Sequence, residues 1–582
     1  MLKPSVSKSL IDSILKSELL DESALLAYAS EAQRLNKKLG VYLVQEGVLK
    51  APELLKALSD LLKLEVINLK AAVIDKAVIE RVPVKVASYY QFMPVALEGN
   101  KLTVAVFEPL DIRSQDDIRA HLGLDTRQVL AGPWDIEEAL KKYYGLASET
   151  IDQILTKEPR KRAQFAQEES GAPEDIERSS EDPSVTKLVN QIILEAFQKR
   201  ATDIHIEPYR NKVRFRYRID GVLIDANLPV EARHFLAAIL SRIKIMANIS
   251  ITERRKPHDG SAVVRVKDQA LDLRVSTIPT LHGESMVIRL LPTTTTLLDL
   301  EKLGFNKDNA RKFRELICRP HGIIFVTGPT GSGKTTTLYA CLHEINDPNR
   351  KIITIEDPIE YEMEGLTQIQ VNPGVDFTFA SGLRSILRHD PDILMVGEVR
   401  DKETADIAIR TALTGHLVFS SLHTNDAASA VTRLVDMGVE PYLVASSVQA
   451  FVAQRLVRVL CSQCREADPE PLVEIRQDIR QSLGLAAQDE IKIFRGRGCD
   501  HCNGTGYYGR TAIYEILMVD EAMRSAILDQ ARVEDIQRIA VKNGMRTLRQ
   551  DGWMNVIQGI TSPAEVMNVT IQESLVTAVP VG

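Results

Sequence analysis

One stretch of this chain constrains its fold more than any other: an apolar run that ends in a glycine-rich octet. Residues 323–327 read Ile-Ile-Phe-Val-Thr. The octet that follows consists of Gly328, Pro329, Thr330, Gly331, Ser332, Gly333, Lys334 and Thr335. The pattern predicts a buried strand, a loop of the form G-x-x-x-x-G-K-T and a helix from Thr336. Loop N–H groups and the helix N-terminus then face an anion, so the stretch indicates an α/β fold that binds phosphate.

Two side chains of the octet carry its chemistry. Lys334 brings a positive charge to the β- and γ-phosphates, and the Thr335 hydroxyl is placed to bind Mg²⁺. Thr336 opens the predicted helix and completes the candidate phosphate site. We therefore expect ATP and Mg²⁺ as ligands. The alternative, a glycine-rich turn with a surface lysine, does not explain the strand and helix on either side.

Carboxylates follow two further apolar strands. Residues 351–355 lead into Glu356, and residues 393–396 lead through a glycine into Glu398. Ligands of open parallel sheets lie at the carboxyl ends of the strands, so both carboxylates are expected near the γ-phosphate and its metal. Glu398 is the stronger candidate for orienting the attacking water and supporting the Mg²⁺ shell, and Glu356 is the second.

Two histidines bracket a fourth apolar strand at residues 417–421. His416 precedes this strand and His423 follows it. Each is a candidate for sensing the phosphate, and a purely structural role is equally open for each. Of the two histidines, we count only His423 among the candidate catalytic residues.

Four of the six cysteines fall in two C-x-x-C pairs, Cys461 with Cys464 and Cys499 with Cys502. Four thiolates at about 2.3 Å form a closed tetrahedral zinc site, which predicts a structural zinc ion. An iron–sulfur cluster and a redox pair are the alternatives. The remaining cysteines, Cys318 and Cys341, are expected to be core thiols.

Charge and apolar patterning divide the N-terminal third of the chain. Residues 157–183 are rich in charge and proline and contain few aliphatic side chains, which predicts a linker. Before it, residues 10–26 share their apolar positions with residues 39–55. This match predicts an internal helical repeat in which each copy covers its neighbour. Two unrelated amphipathic helices are the alternative.

Composition narrows the possible partners. The chain has 72 Lys and Arg against 79 Asp and Glu, a formal net charge of −7. Proteins that bind nucleic acid usually carry a basic excess, so no nucleic-acid partner is expected. The longest apolar runs are shorter than a membrane span, and residues 1–20 lack the apolar core of a signal peptide. We expect a cytosolic protein whose contact with membranes is peripheral.

Read in order, the motifs resemble those of the secretion ATPase superfamily, the motors of type II secretion and type IV pilus assembly. The phosphate loop is followed by TIEDPIEY at 354–361 and by LRSILRHDPDILMVGEVRDKETA at 383–405. TGHLVFSSLHTND at 414–426 and AQRLVRVLCSQC at 453–464 complete the series. The resemblance implies a RecA-like P-loop ATPase that forms a homo-hexamer. It also implies a preceding mixed α/β (PAS-like) domain that covers the nucleotide.

The resemblance assigns further residues. Arg274 and Arg289 match arginines that reach the phosphates, although surface ion pairs are the alternative. The N-terminal repeat is similar to a module that binds cyclic di-GMP in some relatives. Its second copy keeps Gly40 and Gly47, whereas Ile11 and Glu18 replace the glycines of the first copy. Docking to a membrane partner is therefore favoured over binding of the messenger.

We expect five domains and one linker. In chain order these segments are an N-terminal mainly helical α+β docking domain at 1–145, a charged linker at 146–184, a PAS-like domain at 185–295, a RecA-like ATPase domain at 296–455, a tetra-cysteine zinc module at 456–525 and a C-terminal helical subdomain at 526–582.

The resemblance implies an ATP-hydrolysing motor on the cytoplasmic side, peripheral at the inner membrane, that drives pilin-like fibre assembly and protein export. Its expected partners are an inner-membrane platform protein and the cytoplasmic domain of an inner-membrane secretion protein. Residues 436–458 and 498–517 look nearer to type II secretion. The alternatives are a RecA-like nucleic-acid translocase, a pilus extension ATPase regulated by cyclic di-GMP, and a nucleotide-gated adaptor without hydrolysis.

Overall fold

The computed structural model describes most of the chain. The described residues are 8–17, 19–34, 39–144, 174–175, 185–226, 228, 234–266, 269–292 and 300–570. Contacts divide the chain into two units, Met1–Thr294 and Thr295–Gly582, and each has its own buried cores. Within the described ranges, none of the helices has the length and apolar character needed to cross a membrane.

The first unit begins with two helix pairs that match the predicted repeat. The helices are α1 (Lys8–Lys16), α2 (Glu22–Arg34), α3 (Leu39–Gln45) and α4 (Ala51–Leu62). Equivalent positions are buried in both copies, as Ile14 and Leu43 illustrate. Helix α1 packs against α4 and α2 packs against α3. Each copy therefore covers the apolar face of the other, except at Leu26, which is 59% exposed.

A small sheet with four helices completes this N-terminal part. The elements are α5 (Lys76–Arg81), α6 (Val84–Tyr90), β1 (Phe92–Glu98), β2 (Lys101–Val106), α7 (Ile112–Leu122), β3 (Asp125–Leu130) and α8 (Pro133–Tyr144). Strand β2 pairs antiparallel with β1 and parallel with β3. Helix α7 begins where the Asp111 side chain accepts the Ser114 N–H, and it ends at Gly123 in the left-handed conformation.

The second part of this unit is a seven-stranded sheet with two helices on one face. Its elements are β4 (Glu174–Asp175), α9 (Val185–Gln198), β5 (Ala201–Pro208), β6 (Val213–Ile219), β7 (Val222–Asp225), α10 (Leu236–Met246), β8 (His258–Val266), β9 (Gln269–Thr280) and β10 (Gly283–Pro292). The strand order is β4-β8-β9-β10-β5-β6-β7. Apolar side chains alternate with charged ones along β5, β9 and β10, so the sheet buries one face under α9 and α10.

Strand β4 lies inside the predicted linker at 146–184. Its two residues pair with Val264 and Arg265 at the edge of the sheet. Edge pairing uses backbone groups and needs no apolar side chains, so this short strand is compatible with a charged linker. The rest of the linker lies outside the described residues.

The second unit contains a seven-stranded sheet. Its strands are β11 (Gly322–Thr327), β12 (Ile352–Glu356), β13 (Leu366–Gln370), β14 (Ile393–Val396), β15 (Leu417–Leu422), β16 (Val448–Leu460) and β19 (Tyr507–Met518). Their order across the sheet is β13-β12-β14-β15-β11-β16-β19. All neighbours are parallel except β19, which pairs antiparallel with β16. Every residue of β11, β14 and β15 is buried. This continuous burial fits strands that are covered on both faces.

Helices cover both faces of this sheet. They are α11 (Lys307–Ile317), α12 (Lys334–Ile345), α13 (Phe379–Ile386), α14 (Lys402–Leu413), α15 (Ala427–Asp436) and α16 (Pro441–Ser447). Helix α12 begins at Lys334, two residues before the predicted Thr336, because the left-handed conformation of Gly333 ends the loop there. Cys341 of α12 is buried as expected. Cys318 caps the end of α11 and is exposed, so its prediction as a core thiol is wrong.

The C-terminal part adds a two-stranded sheet and five helices. Its elements are β17 (Arg465–Ala467), α17 (Val473–Leu483), β18 (Phe494–Gly496), α18 (Glu521–Leu528), α19 (Val533–Lys542), α20 (Leu548–Ile557) and α21 (Pro563–Thr570). Asp551 anchors α20 to β19, because its carboxylate accepts the Tyr514 N–H at 2.9 Å and the Asn306 amide at 2.8 Å. Burial raises the pKa of Asp551 to about 6.

Candidate functional site

The phosphate loop and two candidate side chains meet at one edge of the parallel sheet. The loop follows β11, His423 follows β15 and Glu398 follows β14, and these three strands are neighbours. Because the strands run parallel, their carboxyl ends lie at the same edge. The structure thus brings together the octet, Glu398 and His423, which lie far apart in the sequence.

Strand β16 lies directly behind the phosphate loop. A Cβ atom on Gly328 would lie 2.7 Å from the Gln454 carbonyl oxygen, and one on Gly333 would lie 2.8 Å from Gln454 Nε2. Gln454 is buried and accepts the Thr337 hydroxyl at 2.8 Å. These glycines are therefore needed where β16 approaches the loop. The sequence analysis did not identify Gln454. It could have been noticed as a polar residue within the apolar run of β16.

The loop holds polar groups suited to an anion. Lys334 Nζ donates to the carbonyl oxygens of Gly328 at 2.8 Å and Pro329 at 3.2 Å. Burial lowers the pKa of Lys334, and the negative charge of Glu398 opposes this shift. Ser332 Oγ is buried and has no hydrogen-bond partner among the described residues. A bound phosphate would supply an acceptor here, so the residues present fit a nucleotide.

Glu398 lies between two basic groups. Arg400 Nη2 is 2.5 Å from Glu398 Oε1, and His423 Nε2 is 3.3 Å from Glu398 Oε2. The Glu398 side chain is 13% exposed. The turn that carries His423 is tied to β11, because the Thr424 N–H donates to Thr327 Oγ1 at 3.0 Å. These contacts therefore connect Glu398 and His423 to the end of β11, where the phosphate loop begins.

Glu356 is engaged in a buried network instead. Its carboxylate accepts the Tyr339 hydroxyl at 2.5 Å and the Thr354 hydroxyl at 2.6 Å, and the Gln368 amide lies at 3.4 Å. Burial, together with the hydrogen bond to Glu356, raises the pKa of Tyr339. With both oxygens engaged, Glu356 is suited to fixing α12 on β12 rather than to orienting water.

We expect Tyr339→Phe to lower the free energy of unfolding by about 1–3 kcal/mol, because it leaves a buried carboxylate oxygen without its donor. Chemical denaturation of the variant and the native protein measures the difference. Tyr442→Phe is the matched control, since Tyr442 is 56% exposed. Equal stability of Tyr339→Phe and the native protein would contradict a structural role for the network.

His416 lies at the opposite edge of the sheet from the loop. Its carbonyl oxygen accepts the N–H of Gly322, the first residue of β11. Its Nδ1 lies 3.1 Å from the Thr411 carbonyl oxygen. His416 therefore belongs with the loop before β15, and the idea that it senses the phosphate is wrong. In the sequence His416 precedes the apolar run of β15 and His423 follows it, so for parallel strands only His423 is expected at the edge that carries the loop.

Arg274 and Arg289 belong to the first unit, on neighbouring strands β9 and β10. They occupy directly opposed positions. Arg289 Nε lies 3.2 Å from Asp203 Oδ1, and Arg274 Nε lies 3.6 Å from Asp272 Oδ2. These carboxylate contacts are those of the surface ion pairs expected as the alternative, and they leave a role toward phosphate as a prediction.

The four predicted metal-binding cysteines converge into one cluster. Their sulfur atoms all lie within 4.8 Å of one another. The Sγ atoms of Cys461 and Cys499 are 3.8 Å apart, those of Cys464 and Cys502 are 3.9 Å apart, and those of Cys499 and Cys502 are 3.7 Å apart. A zinc tetrahedron with bonds of about 2.3 Å has sulfur–sulfur edges of about 3.8 Å. The cluster therefore fits tetrahedral zinc, and these separations are too long for disulfides.

Backbone groups support this cluster. The N–H groups of Cys499 and Gly506 each lie 3.2 Å from Cys502 Sγ. Donors of this kind stabilise thiolates and orient them toward a metal. The sequence predicted the cysteines and the spacing, whereas the supporting N–H groups appear only in the structure.

The two glycines of the N-terminal repeat have local structural explanations. Gly40 is buried against Glu108, which accepts the Gly40 N–H at 2.6 Å. A Cβ atom on Gly40 would lie 2.9 Å from that carboxylate. Gly47 has φ +70°, which glycine adopts most readily. Close packing and turn geometry thus account for both glycines.

Two family models match this chain. One, described as "Type II/IV secretion system protein", matches residues 178–568, and another, the MshEN domain, matches residues 62–150. The first therefore covers the cysteine cluster and both seven-stranded sheets apart from β4. The second begins at the last residue of α4 and covers the three-stranded sheet.

Curated relatives match over most of their own length. The chain is 44% identical over 488 residues to type II secretion system protein E of Xanthomonas campestris pv. campestris, covering 83% of each chain. It is 38% identical over 559 residues to the type IV pilus assembly ATPase PilB of Myxococcus xanthus, covering 96% of this chain and 98% of that protein. The fold is similar to that of the Yersinia pseudotuberculosis ATPase DotB, with a TM-score of 0.50, 20% identity and coverage of 67% and 94%.

Proposed function

The chain belongs to the type II/IV secretion system protein family, and on that premise we propose that it is the ATP-hydrolysing motor of a type II secretion system or a type IV pilus machine. In this role it converts hydrolysis into assembly of a pilin-like fibre and export of proteins. The observation that carries the proposal is the meeting of the phosphate loop, Glu398 and His423 at one edge of the sheet.

The phosphate loop binds the nucleotide in this proposal. Loop N–H groups and the N-terminus of α12 face the phosphates, and Lys334 leaves its carbonyl partners to neutralise them. Thr335, exposed in the first turn of α12, is placed to hold Mg²⁺. Mg²⁺ would neutralise charge on the transferred phosphoryl group.

Glu398 orients the attacking water in this proposal, because its carboxylate contacts His423 and its negative charge acts on Lys334 of the loop. His423 holds the Glu398 carboxylate and links it to the turn after β15. Arg274 and Arg289 contact the phosphates, as the family resemblance implies. Glu356 supports the base of α12.

The cysteine cluster holds one structural zinc ion in this proposal. Four sulfur ligands leave no open position for chemistry. The cluster fixes the turns at Cys461–Cys464 and Cys499–Cys502 at the end of the long β16–β19 pair. The zinc would thus stabilise the C-terminal part without entering the reaction.

The larger assembly is also a proposal. The core is RecA-like, the second part of the first unit is a PAS-like domain, and six chains form the motor at the cytoplasmic face of the inner membrane. The domain boundaries expected from the sequence are retained, with residues 1–145 as the docking end. The partners are an inner-membrane platform protein and the cytoplasmic domain of an inner-membrane secretion protein, and the family shown by the comparisons supports them over nucleic acid.

Regulation by cyclic di-GMP is a second candidate, favoured by the match to the MshEN domain. The messenger-binding module that the N-terminal part resembles uses glycines for close backbone approach. Here Gly40 already packs against Glu108. We therefore rank docking above messenger binding for the helical repeat.

Deleting residues 1–145 tests the docking role. The shortened chain keeps every residue of the phosphate site, so it should retain measurable ATP hydrolysis. It should lose recruitment to membranes that carry the secretion apparatus, because the helical repeat is absent. Membrane fractionation of the full and shortened chains measures recruitment. Undiminished recruitment of the shortened chain would shift the docking role to the cysteine module.

A further inference from the structure

One buried serine contacts the backbone on both sides of Glu398. The Ser421 hydroxyl on β15 donates to the carbonyl oxygen of Gly397 at 2.7 Å. The Ser421 carbonyl oxygen accepts the N–H of Val399 at 3.0 Å. Only 4% of Ser421 is exposed. The residues before and after Glu398 are therefore both bonded to the same residue of the neighbouring strand.

Glu398 lies past the end of its own strand. The backbone pairing of β14 with β15 ends at Val396, which lies opposite Ser420, and Glu398 follows two residues later. A chain that leaves a sheet keeps its backbone freedom unless other bonds restrain it, and a glycine such as Gly397 has the most freedom to lose. The two bonds from Ser421 supply this restraint at the residues that flank the carboxylate.

Gly397 is held between the strands on either side of β14. Its N–H donates to the Ile355 carbonyl oxygen of β12 at 2.8 Å, and its carbonyl oxygen accepts the Ser421 hydroxyl of β15. A Cβ atom on Gly397 would lie 3.4 Å from Glu356 Cα, so β12 approaches closely. The bonds to Ile355 and Val399 use backbone groups, which any residue other than proline supplies. The Ser421 hydroxyl is the contribution that depends on the identity of a side chain.

The same strand also leads to the histidine that contacts Glu398. Strand β15 ends at Leu422, and His423 follows it. His423 Nε2 lies 3.3 Å from Glu398 Oε2. Arg400 and His423 contact the carboxylate itself, whereas Ser421 holds the backbone that carries it. Ser421 therefore ties the backbone of Glu398 to the strand segment that places His423.

We propose that Ser421 is a positioning residue for ATP hydrolysis that acts through Glu398. Its hydroxyl fixes the Gly397 carbonyl and thereby the direction in which the Glu398 side chain leaves the backbone. The inference rests on the proposed function, in which Glu398 orients the attacking water. Phosphoryl transfer depends on positioning more than on covalent chemistry, and a displacement of about 1 Å can lower a rate by about a hundredfold.

The first test measures ATP turnover and nucleotide binding of full-length Ser421→Ala. This variant should lower kcat by about tenfold to a hundredfold, because the Gly397 carbonyl loses its donor and Glu398 is no longer held in place. KM for ATP and the affinity for a fluorescent ATP analogue should stay near the native values, because the hydroxyl bonds to Gly397 and not to the phosphate loop. Ser421→Thr keeps a hydroxyl and should recover most of the turnover that Ser421→Ala loses.

The neighbouring serine is the matched control. Ser420 is buried on the same strand, and its hydroxyl donates to the Val396 carbonyl oxygen of β14 at 2.8 Å. Val396 lies within the backbone pairing of the two strands, so Ser420→Ala should keep the native kcat. Each alanine variant removes one buried hydrogen bond, so both should lower the midpoint of thermal unfolding to a similar extent. Similar stability with different kcat separates positioning of Glu398 from support of the fold.

A double variant shows whether Ser421 acts through Glu398. Ser421→Ala/Glu398→Gln should hydrolyse ATP about as fast as Glu398→Gln alone, because the carboxylate that the hydroxyl positions is absent from both. Phosphate release by the native chain, the two single variants and the double variant under the same conditions gives the comparison.

The outcomes separate this inference from the proposed function. Native kcat in Ser421→Ala, with Glu398→Gln impaired, would overturn the inference and leave the proposed function standing. A further loss of about tenfold in the double variant relative to Glu398→Gln would also overturn it, because the two residues would then act independently. Equal losses of kcat in Ser421→Ala and Ser420→Ala would do the same, since they would indicate general damage to the sheet. Normal hydrolysis by Glu398→Gln would overturn the role proposed for Glu398, and the inference with it.

Discussion

Glu398→Gln should lower the rate of ATP hydrolysis by about a hundredfold or more and leave nucleotide binding intact. The glutamine keeps the size of the side chain and removes the negative charge that contacts His423 and acts on Lys334. The loop that holds the phosphates is unchanged. Release of inorganic phosphate measures turnover, and titration with a fluorescent ATP analogue measures binding.

Glu440→Gln is the control for this variant. Glu440 is exposed, and its side chain makes no capping hydrogen bond at the start of α16. Its turnover should equal that of the native protein. Normal hydrolysis by Glu398→Gln would contradict the assignment of Glu398 as the carboxylate that orients the attacking water. Glu356 would then become the first candidate for that role.

The second large effect is expected at the cysteine cluster. Elemental analysis of the purified chain should find about one zinc ion per chain, and Cys499→Ser should remove it. Because the sulfur atoms tie two turns together, the variant should become sensitive to proteolysis around residues 461–502. Nucleotide binding at the loop should persist.

Cys318→Ser is the matched control for the zinc experiment. Cys318 is an exposed thiol outside the cluster. This variant should keep its zinc and its resistance to protease. Iron in place of zinc, or a chain purified without any metal, would contradict the assignment.

The parallel sheet and its phosphate loop were predictable because their signals are local. The strands β11, β14 and β15 each contain an apolar run, and the glycines of the octet indicate the turn that follows β11. Strand direction then places Glu398 at the edge where the loop lies. The cysteine spacing was equally direct, since each pair supplies two ligands from one turn.

Other features depend on contacts between distant segments, which a sequence pattern does not give. Glu356 looks like Glu398 in the sequence, yet Tyr339 and Gln368 engage its carboxylate. Cys318 occupies a helical pattern but lies at the cap, where its side chain is exposed. The contact of Ser421 with Gly397 depends on strand register, which only the folded sheet defines.

The central claim is that this chain hydrolyses ATP with its phosphate loop. The most direct test measures phosphate release from Mg²⁺–ATP by the full-length chain and by Lys334→Ala under the same conditions. Lys334 lies within the loop and contacts two of its carbonyl oxygens. The account predicts turnover by the native chain, and for Lys334→Ala background turnover with loss of nucleotide binding. Hydrolysis by Lys334→Ala at the native rate would contradict it.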